Sequence, residues 1–161
     1  MKILILTQSS KDGLNYKLSL GCESFIRYDL LKGSIAGSIA DITLANATDD
    51  IPNMKDFTHV IMIVPEWNGS FPYMFKQLID NSGYPSTLKG TNILLIGTAN
   101  TSFGNILGVT QLDTILEWIG AEVFNKKICI PFISDNVTKF SGLQNEEHLE
   151  RLNSSIRKFL K

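Results

Sequence analysis

Val60-Ile61-Met62-Ile63-Val64 runs directly into Pro65-Glu66-Trp67-Asn68-Gly69-Ser70-Phe71-Pro72, and the reading of that succession decides the fold. An apolar run, a polar loop containing glycine and the start of a helical pattern follow one another without a break. In open α/β proteins that junction is where ligands sit.

The same pattern recurs outward in both directions. Apolar runs rich in Ile, Val and Leu occupy Lys2 to Thr7, Asp41 to Ala45, Val60 to Val64, Asn92 to Ile96 and Lys127 to Ile130. Most are too continuous for a sheet with one wet face, so they predict buried parallel strands. Between them the apolar residues fall three or four apart: Leu14, Leu18, Cys22, Phe25 and Ile26, then Phe71, Met74, Phe75, Leu78 and Ile79, then Leu112, Ile115, Leu116 and Ile119 before a stop at Gly120. Leu149, Leu152, Ile156 and Phe159 mark a closing helix whose Glu146 and Glu147 come early and whose Arg157, Lys158 and Lys161 come late, as the helix dipole favours. Parallel neighbours need crossover helices, so the chain predicts a three-layer α/β sandwich around a five-stranded parallel sheet of order 2-1-3-4-5. At 161 residues it reads as one domain, 1–161, large enough to bury roughly 70% of its unfolded surface.

Composition excludes several function classes. The net charge is −1 and no basic stripe is interleaved with aromatics, which argues against nucleic acid. No apolar run approaches the roughly 18 residues of a membrane span and the N-terminus has no signal-peptide pattern, so the expectation is a cytoplasmic protein with no membrane partner. Cys22 and Cys129 read as small core residues, and His59 and His148 lack ligand spacing, so no metal site is expected. No Gly-x-Ser-x-Gly elbow or hydrolytic triad is present, and no catalytic nucleophile is assigned.

In the predicted topology the loops after the first, third and fourth strands share one edge. The first, Gln8 to Asn15, contains Ser9, Ser10, Lys11 and Asn15 at a helix N-terminus; it reads either as a phosphate cradle or as ordinary capping by Ser10 or Asp12. In the second, Glu66 to Ser70, Trp67 beside Asn68 and Gly69 offers a seat for a planar ring or else a capped turn with Trp67 packed on a neighbouring chain; Pro72 fits the first turn of the next helix, with Gly69 or Ser70 as cap. The third, Gly97 to Asn105, is rich in small hydrogen-bonding residues that suit either a heterocycle's polar edge or solvent.

Together the loops resemble those of the NAD(P)H-dependent FMN reductases, a flavodoxin-like family that includes quinone and azo-dye reductases. The specific part is Pro65-Glu66-Trp67-Asn68-Gly69-Ser70 with Pro72, Lys76, Ile79 and Asp80, which is similar to the family's P-E-Y-N-G-S-x-P-x-x-x-K-x-x-I-D signature, Trp67 standing where Tyr is usual. Also similar are Ser9-Ser10-Lys11 with Asn15, with Lys for the usual Arg, and the helix closing at Gly120-Ala121-Glu122-Val123. The stretch Leu31 to Ala40, with Gly33 and Gly37, departs from the family, and the second strand reads as short.

The resemblance implies an FMN cofactor with NAD(P)H as reductant and a flavin, quinone or similar small-molecule electron acceptor. It places the FMN phosphate near Ser9, Ser10, Lys11 and Asn15, the ring against Pro65, Glu66, Trp67, Asn68 and Gly69, and its pyrimidine side toward Thr98, Ala99 and Asn100. A homodimer or homotetramer is implied, with Phe71, Tyr73 and Trp118 as candidate interface aromatics. Two alternatives stand beside it: a flavodoxin-type electron carrier, and a flavin-free interaction protein of the same fold.

Overall fold

Strands form where β-branched and leucine side chains are continuous because a strand buried on both faces has no polar position to offer. In the computed structural model, which describes residues 1–32, 41–47, 51–138 and 142–161, this holds for β1 (Lys2–Thr7), β3 (His59–Pro65) and β4 (Asn92–Thr98), whereas β2 (Asp41–Asn46) is a half-buried edge strand. All pair in parallel. Ile5 lies beside both Leu44 of β2 and Ile61 of β3, and Ile61 beside Leu94 of β4. The fifth position is filled by two short strands, β5 (Glu122–Val123) and β6 (Ile128–Ile130), which pair with successive halves of β4. The order β2-β1-β3-β4-β5 is the expected one, in a flavodoxin-like fold.

Successive strand residues face opposite layers. Ile3 and Ile5 join Leu18, Cys22 and Ile26 of α1 (Leu14–Leu31) and Leu152 and Ile156 of α5 (Glu146–Phe159) in one core. Leu4 and Leu6 join Phe75 and Ile79 of α2 (Tyr73–Asp80) and Val109, Leu112 and Leu116 of α3 (Ile106–Trp118) in the other. Each fully buried aliphatic side chain contributes about 2 kcal/mol of hydrophobic stabilisation. One polar link crosses the first layer. Asp29 of α1 is 1% exposed, and it accepts from Arg157 Nε at 2.5 Å and Nη2 at 3.1 Å while the guanidinium lies 4.8 Å over the Phe25 ring.

Several details differ from the sequence reading. The fifth strand begins at Glu122, inside the stretch read as a helix close, and breaks at Phe124–Lys127, where Asn125, Lys126 and Lys127 cannot be buried. β2 is as long as β1. A four-residue helix, α4 (Ile133–Asn136), and a hairpin of β7 (Val137–Thr138) and β8 (Gly142–Leu143) were not anticipated, because elements of two to four residues have no periodicity to detect. Pro72 precedes α2 as its cap residue, and neither Gly69 nor Ser70 occupies that position. Phe71 is half-buried on the α2/α3 core, whereas Tyr73 and Trp118 are 67% and 89% exposed. The Gly33- and Gly37-containing stretch, from 33 to 40, lies outside the described residues.

Candidate functional site

β1 leads to β2 on one side and β3 leads to β4 on the other, so the chain diverges at the carboxyl ends of β1 and β3 and leaves a crevice there. The loops after β1, β3 and β4 meet around it.

The β1–α1 loop is held in a tight arc. The Gly13 N–H donates to the Ser10 carbonyl at 2.9 Å, and Lys17 Nζ donates to the Asp12 carbonyl at 2.7 Å. Asn46, at the end of β2, braces the arc by donating to the Ser9 carbonyl. A Cβ on Gly13 would lie 2.1 Å from Ser9 Oγ and 3.1 Å from the Ser10 carbonyl oxygen, so the glycine is what lets the arc close. Within it the Ser9 and Ser10 hydroxyls, the N–H groups of Ser10, Lys11 and Asp12 and the Lys11 ammonium have no partner among the described residues. Neither Ser10 nor Asp12 caps α1 through its side chain. At the foot of the loop, Thr7 Oγ1 is buried without a hydrogen bond. Free N–H groups, hydroxyls and a cation at a helix N-terminus are the donor set that a phosphate monoester requires, so these residues fit the phosphate end of FMN.

The β3–α2 loop is a two-residue reversal. Trp67 and Ser70 exchange backbone hydrogen bonds of 2.9 and 3.0 Å, with Asn68 and Gly69 between them at φ of 51° and 76°. Asn-Gly is the pair that tolerates such a turn. The turn is fixed from both sides. The Glu66 N–H donates to the Thr98 carbonyl at 2.8 Å, the Thr101 hydroxyl donates to Glu66 Oε2 at 3.0 Å, and the Ser70 hydroxyl donates to Gln111 Oε1 at 2.6 Å. Pro65 is buried at the end of β3, while Trp67 is 42% exposed and Asn68 and Gly69 are exposed.

The β4–α3 loop does not behave as one unit. Thr98 and Ala99 are buried, and their polar groups are bound internally. The Thr98 hydroxyl donates to Asn15 Oδ1 at 2.6 Å, the Ala99 N–H donates to the Ile130 carbonyl, and the Ala99 carbonyl accepts from Ile133. Asn100 is exposed, with its Oδ1 taken by the N–H and hydroxyl of Ser134. The N–H groups from Asn100 to Asn105 have no acceptor among the described residues. A cavity of 250 Å³ opens between Glu66 and Gly69 on one side and Thr101 to Leu107 on the other. Phe103 borders this space at 72% exposure and leaves it open.

Asn105 was not singled out in the sequence, yet it organises this end of the molecule. It is 2% exposed with φ of 65°, its Nδ2 donates to the Val64 carbonyl at 3.0 Å, and its Oδ1 accepts from the Gly108 N–H as the cap of α3. Its place after Gly104 and before an apolar run was the available signal. Cys129 lies beside Gly97 in the strand register; burial pushes its half-buried thiol up, opposed by the charges of Arg151 and Lys127, so it is held as a neutral thiol. Among the described residues no cluster of His, Cys, Asp or Glu could hold a metal, and no helix is long and apolar enough to cross a membrane.

The family model described as NADPH-dependent FMN reductase matches residues 34–135, from before β2 to α4 and thus including the second and third loops. Among solved structures, FerB, a flavoenzyme NAD(P)H:(acceptor) oxidoreductase from Paracoccus denitrificans, is similar at a TM-score of 0.77 and 19% identity, covering 99% of this chain and 94% of that one. An NADH:FMN oxidoreductase, EMOB, in its apo form gives 0.71 at 16% identity over 98% and 87%. Oxidised flavodoxin 1 from Bacillus cereus gives 0.67 at 15% over 98% and 96%. Among curated proteins no sequence matches.

Proposed function

The chain belongs to the NADPH-dependent FMN reductase family, and from that premise we propose that it oxidises NAD(P)H and passes the electrons through FMN to a flavin, quinone or similar small acceptor. The observation that carries this reading is the arc of Ser9 to Gly13, with its unpartnered N–H groups and hydroxyls, beside the open space between the second and third loops. FMN, when bound, supplies the hydride chemistry between the reduced nicotinamide and the acceptor.

The protein's part is to bind, orient and exclude water. Ser9, Ser10 and the Lys11 ammonium hold the phosphate, and Asn15 sets the pitch of α1 beneath it through Thr98. Pro65 to Gly69 form one wall for the ring, with the rigid Asn68-Gly69 turn bringing backbone close. On the other wall the N–H groups of Asn100 to Gly104 face the ring's polar edge, while Thr98 and Ala99 act by fixing that loop in place.

Trp67, Tyr73, Phe103 and Leu107 are exposed; Phe103 and Leu107 line the cavity, and the Trp67 and Tyr73 rings lie 6.5 Å apart on the loop and helix that follow β3. Covering them with a second copy would remove apolar surface from water and close the site, so we place the homodimer interface there, with Trp118 outside it. A cytoplasmic location remains part of the proposal.

The deciding measurement is an FMN titration followed by absorbance, coupled to NADPH and NADH oxidation. Binding at about 1 μM or tighter with flavin-dependent turnover is the expected result. Flavin binding without nucleotide oxidation would instead mark an electron carrier, and no flavin binding would leave only an interaction protein of this fold.

A further inference from the structure

The break between β5 and β6 creates a second polar feature. Phe124 still donates its N–H to the Ile93 carbonyl, but Asn125 to Lys127 leave the sheet edge and face α5 across a groove of 500 Å³. On α5 the groove is lined by Arg151, Ser154, Ser155 and Lys158, whose spacing of three, four and seven puts them on one stripe. This stripe lies beside the apolar one of Leu152, Ile156 and Phe159, so it is neither core nor the helix's outermost face.

The charge in the groove is lopsided. Lys127 is paired with Asp113 at 2.5 Å, but Lys126, Arg151 and Lys158 have no ion-pair partner among the described residues, and Glu150 is the one carboxylate in the lining. Lys158 in the last turn complements the dipole of α5, but Arg151 and Lys126 have no such role. The Ser155 hydroxyl belongs to a residue only 9% exposed and has no hydrogen-bond partner among the described residues.

We infer that this groove is an anion site for a phosphate-bearing small molecule, with Lys126, Arg151 and Lys158 as cations and the Ser154 and Ser155 hydroxyls as donors. It is separate from the flavin crevice. Ile128 pairs with Ile96, two residues or about 7 Å below Thr98 at the carboxyl edge, and on the α5 side of the sheet. A compact dianion accepting from both hydroxyls would neutralise charges that the fold leaves unanswered. Two sources share this chemistry, free phosphate and the diphosphate of a nucleotide.

Amide-resolved NMR on the FMN-saturated protein, titrated with inorganic phosphate and separately with ADP, tests this site by site. The expected result is saturable change at the amides of 126–128 and 151–158 for at least one probe, weakened about tenfold or more in Arg151→Gln/Lys158→Gln, and unaltered in Lys11→Gln. Tighter binding of ADP identifies a nucleotide as the source, and equal binding identifies the free anion. The inference is overturned if neither probe gives saturable change there up to about 10 mM, or if the double substitution leaves binding as it was. Because the readout is local, loss of flavin binding would appear at Ser10 to Asn15 and would not be mistaken for failure of the groove.

Discussion

The Thr98 hydroxyl donates to Asn15 Oδ1 at 2.6 Å, joining the last residue of β4 to the first turn of α1 across 83 positions of sequence. Two of the three loops around the crevice are thereby tied to each other by a part-buried hydrogen bond. Thr98→Val keeps the side-chain shape but removes the donor, leaving a part-buried acceptor unsatisfied. A stability loss of about 1 kcal/mol and a roughly tenfold weaker FMN affinity are expected. A double-mutant cycle with Asn15→Ala should return a coupling near the single-mutant loss, and strict additivity would show that the contact does not link the loops.

Gly13→Ala tests the cradle more directly. Its Cβ would come within 2.1 Å of Ser9 Oγ, so that hydroxyl must turn away and the arc must widen. We expect apo stability to fall by about 1 kcal/mol while the FMN dissociation constant rises tenfold or more. An unchanged dissociation constant in a folded variant would remove the loop from the flavin site.

Gly108 is where α3 meets the Asn68-Gly69 turn at backbone distance. A Cβ there would lie 2.3 Å from Asn105 Oδ1 and 2.7 Å from the Ser70 carbonyl carbon. Gly108→Ala should cost about 2 kcal/mol by overpacking and release the β3–α2 loop from Gln111. Urea unfolding measures the first effect, and faster proteolytic cleavage between Glu66 and Ser70 measures the second.

Arg157→Gln removes the partner of the buried Asp29 carboxylate. The arginine side chain is 43% exposed, so the loss should fall below that of a fully buried pair, at about 2 kcal/mol in urea unfolding. Combining it with Asp29→Asn should recover part of that loss, since the uncompensated charge is then gone.

His59 opens β3 with its ring 5.2 Å from that of Phe159, edge-on. Burial holds its pKa below the ordinary value of 6.5, with the N-terminal ammonium acting in the same direction. The folded protein therefore binds fewer protons here than the unfolded chain. This contribution is fully present above the unfolded value and is lost as pH falls through the lowered folded value. Melting temperatures measured from about pH 7 to pH 5 should decline less steeply in His59→Asn than in the parent protein, and equal slopes would contradict the assignment.

Much of this molecule was legible before any coordinates. The runs at Lys2 to Thr7 and Val60 to Val64 become strands buried from Ile3 and from Val60 onward because their aliphatic side chains leave no wet face, and the spacing of Leu18, Cys22 and Ile26 places α1 on the sheet. Gly120 ends α3 at φ of 85° as a helix-stop glycine should. Asn68-Gly69 fixes a turn locally, and the signature around it was specific enough to give the family.

Other features depended on contacts between segments distant in sequence. The pairing of Thr98 with Asn15, of Glu66 with Thr101 and of Asn100 with Ser134 converts loop residues that looked equivalent into structural and free ones. No local pattern distinguishes them, because a side-chain hydrogen bond is chosen by whichever partner the folded chain brings within reach. The basic groove is of the same kind. Lys126 and Arg151 are unremarkable in a chain of net charge −1, and they become one feature only because the edge strand breaks where α5 passes. Hydrophobic periodicity, which acts over a few residues, therefore settled the layers and their order, whereas the polar sites were decided by tertiary packing, where short-range hydrogen bonds and charges meet.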